Sequence, residues 1–305
     1  MKYPALTQEQ LLQRLAPPKG KVRMVLDTDT FNEIDDQFAV IYALQSEDKL
    51  QVEALYAAPF YNELSSGPKD GMEKSYQEIL KILELMDRAG LYPVHRGSED
   101  YMSAKNQPQE SEAARDLVKR AMAASDDDPL YVVAIGAITN VASAILMEPK
   151  IIEKIVVVWL GGHALHWPNT EEFNLRQDLH ASRIVLDSGV PLVLIPCMGV
   201  TSHLRTSLSE IRDYVKDAGE IGSYLYETYL NCHKDHYGYT RVIWDISTIA
   251  YLNNEAWTPS SIVPSPLLSE DFRWSFDSSR HFIRYVWNIH RDPIFQDVFR
   301  KLSPV

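Results

Sequence analysis

Cysteine is nearly absent from this chain: only Cys197 and Cys232 occur among its 305 residues. Two cysteines so far apart in sequence form neither a redox pair nor a zinc-binding pair motif, and such sparse use of cysteine indicates a reducing compartment. The N-terminal segment lacks the apolar region of a secretion signal, and no stretch reaches the roughly 18 apolar residues that a membrane span needs. We therefore expect a cytoplasmic protein with no membrane partner.

Positive charge is scarce relative to negative charge. Lys and Arg number 30 against 42 Asp and Glu, which gives a formal net charge of −12. Because an acidic protein is poorly suited to binding phosphate backbones or anionic lipids, we expect neither a nucleic acid polymer nor a membrane surface as a partner. Hydrophobic residues make up 45% of the chain and charged residues 24%, as is usual for a globular protein with a sizeable core.

Internal repeats, low-complexity tracts and Gly/Ser-rich linkers are also missing, so we predict one domain over residues 1–305. Five short runs are almost continuously apolar, as strands buried on both faces are: 22–27, 52–58, 130–136, 155–161 and 191–196. Helical patterns lie between or beside them at 35–46, 72–89, 110–124, 139–147 and 178–188. This alternation predicts an α/β fold, with a mostly parallel central sheet flanked by helices.

The pattern changes after residue 200. Helices are predicted at 207–234 and 245–253, and the Pro-rich segment 257–272 is predicted to be a loop. The C-terminal portion is thus expected to be helical and irregular. Ligands of open α/β sheets bind beyond the C-terminal ends of the strands, and the polar or glycine-bearing segments 58–63, 136–140 and 161–174 all follow predicted strands.

The most unusual segment follows the first predicted strand. In "VLDTDTFNEIDDQFAV", residues 25–40, five carboxylates fall within ten positions: Asp27, Asp29, Glu33, Asp35 and Asp36. Carboxylates this close repel one another unless a proton or a cation compensates them. Hard oxygen ligands suit Ca²⁺ or Mg²⁺, and such an ion lowers the pKa of a coordinated water. The cluster therefore favours metal-assisted hydrolysis.

Two enzyme families are similar to this segment. "VLDTDT" resembles the nucleophile motif of haloacid-dehalogenase-like phosphatases, in which the first acid, here Asp27, is phosphorylated. Those enzymes also need an acidic motif after a later strand. The candidate strands here end in "AIGAITN" and "WLGGHAL", neither of which is acidic.

The second resemblance covers residues 22–253. "LDTDTFNEIDDQFAV", "VVAIGAITNVASAI", "EFNLRQDLHASRIVLDSGVPLVLIP" and "WDISTIAYL" stand in the order and spacing of the nucleoside hydrolases, also called inosine-uridine preferring N-ribohydrolases. The resemblance implies a Rossmann-like open sheet and Ca²⁺-dependent hydrolysis of the N-glycosidic bond of ribonucleosides to ribose and free base.

By this resemblance, calcium would be bound by Asp29, Asp36, Asp245 and the backbone carbonyl of Ile135. Asp29 would also be the catalytic base that activates the metal-bound water, and Asp27 would support the site from behind. The family spacing Asp-x-Asp-Pro-Gly-x-Asp-Asp is altered here, because two extra residues stand between Asp29 and the Asp pair and the Pro-Gly is missing.

Sugar contacts are implied in the same way. Asp35 would accept a hydrogen bond from a ribose hydroxyl, and Glu172 and Asn174 would bind further hydroxyls. His166 stands where the family has an asparagine, with Asn169 three residues later, so either residue could replace it. Asn62 lies near the position of another sugar-binding asparagine of the family.

The last motif departs from the family in a residue that bears on mechanism. Trp244 precedes Asp245, where the family has histidine, and an indole cannot act as a general acid. The leaving base therefore needs another partner. Candidates for stacking on the base are Trp244, Trp167 and Tyr239, and candidates for protonating it are His163, His166, His233 and His236. A non-catalytic protein that binds ribosyl compounds is the alternative that Trp244 leaves open.

Further expectations follow from the resemblance. The partner would be a small-molecule ribonucleoside, the pathway nucleoside metabolism such as purine salvage, and the assembly a homodimer or homotetramer.

Thr139 and Asn140 are interpreted as helix-capping residues rather than ligand contacts.

Overall fold

The computed structural model describes residues 3–303, in which strands and helices alternate through the first two thirds of the chain as predicted. The strands are β1 (Val22–Thr28), β2 (Leu50–Ala57), β3 (Val94–Arg96), β4 (Leu130–Ala134), β5 (Ile155–Leu160), β6 (Leu192–Ile195), β7 (Arg205–Thr206), β8 (Arg241–Val242), β9 (Ser260–Pro264), β10 (Leu267–Leu268), β11 (Trp274–Ser275) and β12 (Phe282–Val286). The helices are α1 (Gln8–Arg14), α2 (Asp35–Leu44), α3 (Pro68–Leu85), α4 (Glu112–Ala123), α5 (Thr139–Met147), α6 (Phe173–Gln177), α7 (Leu179–Asp187), α8 (Leu208–Tyr214), α9 (Gly219–Asn231), α10 (Ile246–Asn253) and α11 (Arg291–Leu302).

Eight strands form one sheet in the order β3-β2-β1-β4-β5-β6-β12-β9. Every neighbouring pair is parallel except β12 and β9, which are antiparallel. The predicted class, a mostly parallel central sheet flanked by helices, is confirmed. Two further two-stranded sheets pair β10 with β11 and β7 with β8.

The strands are apolar because hydrophobic layers cover both faces of the sheet. Side chains that alternate along β5 belong to two different core clusters: Ile155, Val157 and Trp159 on one face, and Val156, Val158 and Leu160 on the other. All six are essentially inaccessible to solvent. Helices on both faces follow from this burial, because a parallel sheet needs crossover connections that lie against it.

The prediction for the Pro-rich segment 257–272 was wrong. It contains β9 and β10, and Pro264 pairs with Phe282 of β12. Proline is tolerated there because β9 is an edge strand. The C-terminal portion therefore completes the sheet as well as supplying helices.

The single helix predicted over 207–234 was also wrong, since it is divided into α8 and α9. Gly219, the first residue of α9, has a φ of 71°, a conformation that other residues rarely adopt. Gly222 lies against the carbonyl of Val215, with no room for a Cβ atom. The break therefore lets α9 pack closely against the end of α8.

None of the helices among residues 3–303 combines the length and the apolar character needed to cross a membrane. The carboxyl ends of β1, β4, β5 and β6 meet at one edge of the sheet, because these four strands are parallel neighbours. The segments that follow them carry the residues described next.

Candidate active site

A cavity of about 430 Å³ opens at this edge of the sheet. Its walls come from the segments that follow β1, β4, β5 and β6, from α6, and from the residues that precede α10. The lining residues are Asn32, Glu33, Asp35, Asp36, Ile135, Leu160, His163, Glu171, Glu172, Phe173, Asn174, Arg176, Cys197, Met198, Trp244 and Asp245. The position agrees with the rule for open α/β sheets.

Three buried aspartates line this cavity, and a fourth, Asp29, lies next to them without being part of the lining. Asp35 and Asp36 open α2, Asp245 directly precedes α10, and single oxygens of these three side chains all lie within 4.8 Å of one another. Asp29 is fully buried, and neither of its carboxylate oxygens has a hydrogen-bond partner within the described residues. Oδ1 of Asp35 is also buried without a partner. Buried, unpartnered carboxylate oxygens indicate that the site binds something further.

Electrostatics support this interpretation. Burial, and then the charge of Asp36, hold the pKa of Asp29 well above its usual range. Burial raises the pKa of Asp36 to about 7, although a hydrogen bond of 2.6 Å from Oγ1 of Thr28 opposes the shift. Burial is also the main cause that raises the pKa of Asp35 and the pKa of Asp245. A divalent cation would remove the repulsion, and a set of carboxylate oxygens fits Ca²⁺ or Mg²⁺.

Asp27 lies behind this cluster and does not line the cavity. Its Oδ1 accepts a hydrogen bond of 2.7 Å from Nδ2 of Asn140, and burial raises its pKa to about 7. Oδ1 of Asn140 accepts bonds from the backbone N–H and the hydroxyl of Ser98, while the Thr139 hydroxyl donates to Asp178. The interpretation of Thr139 and Asn140 as capping residues was therefore wrong, because both side chains join elements across the core.

Ile135 and Asn174 meet at the cavity wall. Nδ2 of Asn174 donates to the backbone carbonyl of Ile135 and to that of Leu160, both at 3.1 Å. Next to Ile135, Gly136 leaves no room for a side chain, because a Cβ atom there would lie 2.8 Å from Oδ1 of Asp29. The segment after β4 therefore touches both the acidic cluster and the wall that carries Asn174.

Glu172 is a buried carboxylate with a complete set of partners. Oε1 accepts the N–H of Asn174 at 2.9 Å, and Oε2 accepts those of Gly162 and Leu175 at 2.9 and 3.0 Å. Burial raises its pKa, and these bonds together with the Cys197 thiol oppose that shift. Glu172 thus caps α6 and also faces the cavity.

Three predicted sugar contacts lie away from the cavity lining. His166 and Asn169 are exposed, and Oδ1 of Asn169 accepts a bond from the N–H of Glu171. Asn62 donates through Nδ2 to Oδ1 of Asn32 at 2.6 Å, so its connection to the cavity runs through Asn32. The structure does not bring these three residues to the cavity with Asp35, Glu172 and Asn174.

Among the candidates for the leaving base, Trp244 and His163 line the cavity. The backbone N–H of Trp244 donates to Oδ2 of Asp35 at 3.2 Å. Nδ1 of His163 accepts the N–H of Met198 at 3.3 Å, and burial lowers the pKa of this histidine. Trp167 packs edge-on against the His163 ring at the surface.

The remaining candidates form a separate group. His233 stacks on Tyr239 with ring centroids 4.0 Å apart, and His236 packs edge-on against both rings. None of these three side chains belongs to the cavity lining formed by the described residues.

Sequence reasoning missed Arg241. Its Nη2 donates to Oε2 of Glu33 at 2.7 Å, which gives Glu33 a partner across 208 positions of sequence. An ion pair over such a separation leaves no local signal. Cys197 and Met198, by contrast, come just after β6 and Pro196, so the strand-end rule could have identified them as cavity residues.

The sequence of this chain is similar to those of known proteins. The family model described as inosine-uridine preferring nucleoside hydrolase matches residues 24–279. The pyrimidine-specific ribonucleoside hydrolases RihA of Salmonella arizonae and Klebsiella pneumoniae are each 28% identical over 258 residues, covering 75% of this chain and 78% of the relative.

Solved structures are similar in fold. A plant nucleoside hydrolase superposes with a TM-score of 0.75 at 17% identity, covering 94% of this chain and 99% of that one. The purine-preferring ribonucleoside hydrolase from Gardnerella vaginalis superposes with a TM-score of 0.74 at 18% identity, covering 92% and 98%. With the family model matched over most of its length, this chain belongs to the inosine-uridine preferring nucleoside hydrolase family and is an N-glycosyl hydrolase.

Proposed function

We propose that this chain hydrolyses the N-glycosidic bond of ribonucleosides, with Ca²⁺ bound by Asp29, Asp36, Asp245 and the carbonyl of Ile135. The observation that carries the proposal is Asp29, a buried carboxylate whose two oxygens have no hydrogen-bond partner within residues 3–303. Three further carboxylates beside the cavity supply the negative charge that a divalent cation needs. The ion, when bound, neutralises this charge and lowers the pKa of a coordinated water.

The reaction needs a base for the attacking water. Asp29 accepts the water proton at one of its two unpartnered oxygens. Burial of the carboxylate excludes competing donors, and the close approach of Gly136 fixes its position. General base catalysis of this kind contributes about 10²–10⁴ in rate.

The sugar is held from two sides. Asp35 receives a hydroxyl at Oδ1, because Oδ2 is already bonded to the N–H of Trp244. Glu172 and Asn174 also line the cavity, and both are fixed by backbone contacts. The cationic character that develops on the sugar is stabilised by the carboxylates around it.

The leaving base lies between Trp244 and His163 in this proposal. Trp244 offers its indole face for stacking. His163 has Nδ1 engaged by the Met198 N–H, so in the neutral ring the proton is on Nε2 and that atom donates a hydrogen bond to the base. Because burial lowers its pKa, His163 acts at neutral pH as a hydrogen-bond donor rather than as a cation.

The two alternative functions considered from the sequence are both disfavoured. A phosphatase using Asp27 is disfavoured by membership of a different enzyme family, and Oδ1 of Asp27 is already bonded to Asn140. A binding protein without activity is disfavoured by membership of an enzyme family. The binding-protein alternative arose because Trp244 stands where the family has histidine. In this proposal, His163 provides the contact to the leaving base instead.

The test is release of free ribose from a panel that includes inosine and uridine. We expect turnover by the purified chain in Ca²⁺, loss of turnover with a strong chelator, and recovery when Ca²⁺ is restored. Recovery with Mg²⁺ at equal concentration would instead identify magnesium as the working ion. Asp29→Asn should lose turnover, and Asp70→Asn is the matched carboxylate-to-amide control, since Asp70 is partly exposed in the first turn of α3 and outside the cavity lining. Calcium binding with no free sugar from any nucleoside would contradict the proposal.

Three expectations from the resemblance stay predictions: a cytoplasmic location, a role in purine salvage, and a homodimer or homotetramer. Light scattering coupled to gel filtration checks the assembly. Ranking purine against pyrimidine nucleosides by kcat/KM checks the pathway, since a marked preference for pyrimidines would argue against purine salvage.

A further inference from the structure

Arg241 lies close to two carboxylates of the site. Its guanidinium donates through Nη2 to Oε2 of Glu33 at 2.7 Å, and the Glu33 side chain is about half-exposed. Asp35 is the other neighbour: both carboxylates raise the pKa of Arg241 against the lowering effect of burial, and Asp35 contributes more than Glu33. Glu33 stands two residues before Asp35, and Asp35 accepts a bond from the N–H of Trp244, three residues after Arg241, so the guanidinium lies near Asp35 while it is bonded to Glu33.

Two complementary atoms in this group have no partner. Nε of Arg241 and Oδ1 of Asp35 are both buried without a hydrogen bond in the described part of the chain. A buried ionic group left unpaired is costly, and a guanidinium and a carboxylate would ordinarily form paired hydrogen bonds. Another contact must therefore hold the guanidinium away from the Asp35 carboxylate.

The backbone of Arg241 is fixed in place by hydrogen bonds. Its N–H donates to the Tyr229 hydroxyl at 3.1 Å, and the residue pairs with Thr206 in the sheet of β7 and β8. The flexible part is the side chain, whose end is held by the ion pair with Glu33, with Tyr239 and Cys232 also beside the guanidinium.

We propose that Glu33 is a positioning residue that holds the Arg241 guanidinium away from Asp35, which leaves Oδ1 of Asp35 open to a sugar hydroxyl. The negative charge of Asp35 is then also available to the cation. This inference rests on the function proposed above, because it uses the assignment of Asp35 to the sugar. It gives a role to the two-residue insertion after Asp29, the segment in which Glu33 lies.

The consequence is a specific pattern among variants. In Glu33→Gln the guanidinium is free to turn to Asp35, where it occupies the sugar contact and cancels one charge of the cluster. In Arg241→Gln no cation remains to do so. The double variant should therefore recover what Glu33→Gln loses, whereas a pair that merely holds the loop in place would show no such recovery.

The experiment titrates chelator-treated full-length protein with CaCl₂, and then the calcium-loaded protein with D-ribose, by calorimetry. We expect both affinities to fall about tenfold in Glu33→Gln, the size expected when a charged hydrogen bond is lost, and to return to within about threefold of wild type in the double variant. Glu33→Asp, which keeps the carboxylate, is the matched control and should stay near wild type. Equal losses in both single variants and in the double variant would overturn the inference.

A crystal structure of Glu33→Gln decides the point without any ligand. We expect the guanidinium of Arg241 within hydrogen-bond distance of Oδ1 of Asp35, and a guanidinium in its original place would overturn the inference. Glu33→Ala is the second removal variant if Glu33→Gln does not fold. Since neither the titrations nor the structure needs turnover, failure of nucleoside hydrolysis in the wild type would count against the proposed function alone.

Discussion

Two sets of buried carboxylates face the same cavity and differ in what surrounds them. Glu172 is bonded by three backbone N–H groups and the Cys197 thiol. Asp29 has no hydrogen-bond partner for either oxygen within residues 3–303, and its nearest charges are other carboxylates. Since a folded protein normally satisfies buried polar groups, Glu172 is already satisfied in the free protein, whereas Asp29 keeps two unpartnered oxygens for the cation proposed above.

The two sites should therefore respond in opposite directions when a carboxylate becomes an amide. At Glu172 the change removes an acceptor that the backbone needs. At Asp29 it removes an ionisable group that no hydrogen bond within the described residues compensates.

The largest effect is expected from Asp29→Asn. An amide cannot take the proton of the attacking water, so kcat for nucleoside hydrolysis should fall about 10³-fold. The same variant should unfold at a higher temperature than wild type in a chelator, because the cost of burying this carboxylate beside Asp36 is gone. Steady-state kinetics and thermal unfolding measure the two effects. A lower unfolding temperature in the chelator would contradict the proposed difference between Asp29 and Glu172.

The pH dependence of apo stability is expected to be the next largest effect. The folded-state pKa of Asp36 is raised to about 7, above its value of about 4 in an unfolded chain. The folded apo protein thus binds a proton that the unfolded chain has released. This contribution to stability is full below about pH 4 and is lost as the pH rises through about 7, by on the order of 4 kcal/mol.

Urea unfolding between pH 4 and pH 8 in a chelator measures this decline. Saturating Ca²⁺ should reduce it, because the ion stabilises the ionised cluster of the folded protein. Identical profiles with calcium and with chelator would contradict the assignment of the cluster to a cation.

Glu172→Gln should destabilise the protein by about 2 kcal/mol, since one side of the amide can no longer accept the backbone N–H groups. The free energy of unfolding from urea titration is the measurement. Asp29→Asn is the matched comparison at the same cavity, expected to change stability in a chelator with the opposite sign. A loss of similar size in both variants would mean that the two sites are equally structural.

Gly136→Ala is expected to give the smallest effect. The added methyl group would lie 2.8 Å from Oδ1 of Asp29 and 3.1 Å from Cβ of Ala58, so the carboxylate must shift. We expect calcium affinity to fall by about tenfold, with a stability change of about 1 kcal/mol. Calorimetric titration with CaCl₂ checks the affinity, and an unchanged affinity would mean that the position of Asp29 is not set by Gly136.

Much of the fold was predictable because apolar runs report directly on burial. The runs at 130–136 and 155–161 became β4 and β5 with ends shifted by at most two residues, since both strands are covered on both faces. The strand β9 was missed because prolines and serines dominate its segment. Its pairing with β12 depends on an edge position that no local pattern reports.

The site was predictable to the extent that its residues stand at strand ends and helix starts. Asp35 and Asp36 were identified in this way and Asp245 by the family resemblance, and the structure brings single oxygens of all three within 4.8 Å of one another. His163 and His166 could not be distinguished from sequence, because they lie on the same loop. One lines the cavity and the other faces solvent only after that loop has folded.

The sequence alone determined that a parallel sheet would carry a group of carboxylates at the carboxyl end of its first strand, because strand burial and helix starts are local properties of the chain. Only the tertiary structure decided which groups compensate those charges. The pairing of Glu33 with Arg241, the isolation of Asp29 and the complete bonding of Glu172 each depend on contacts between segments that the chain separates and the fold brings together.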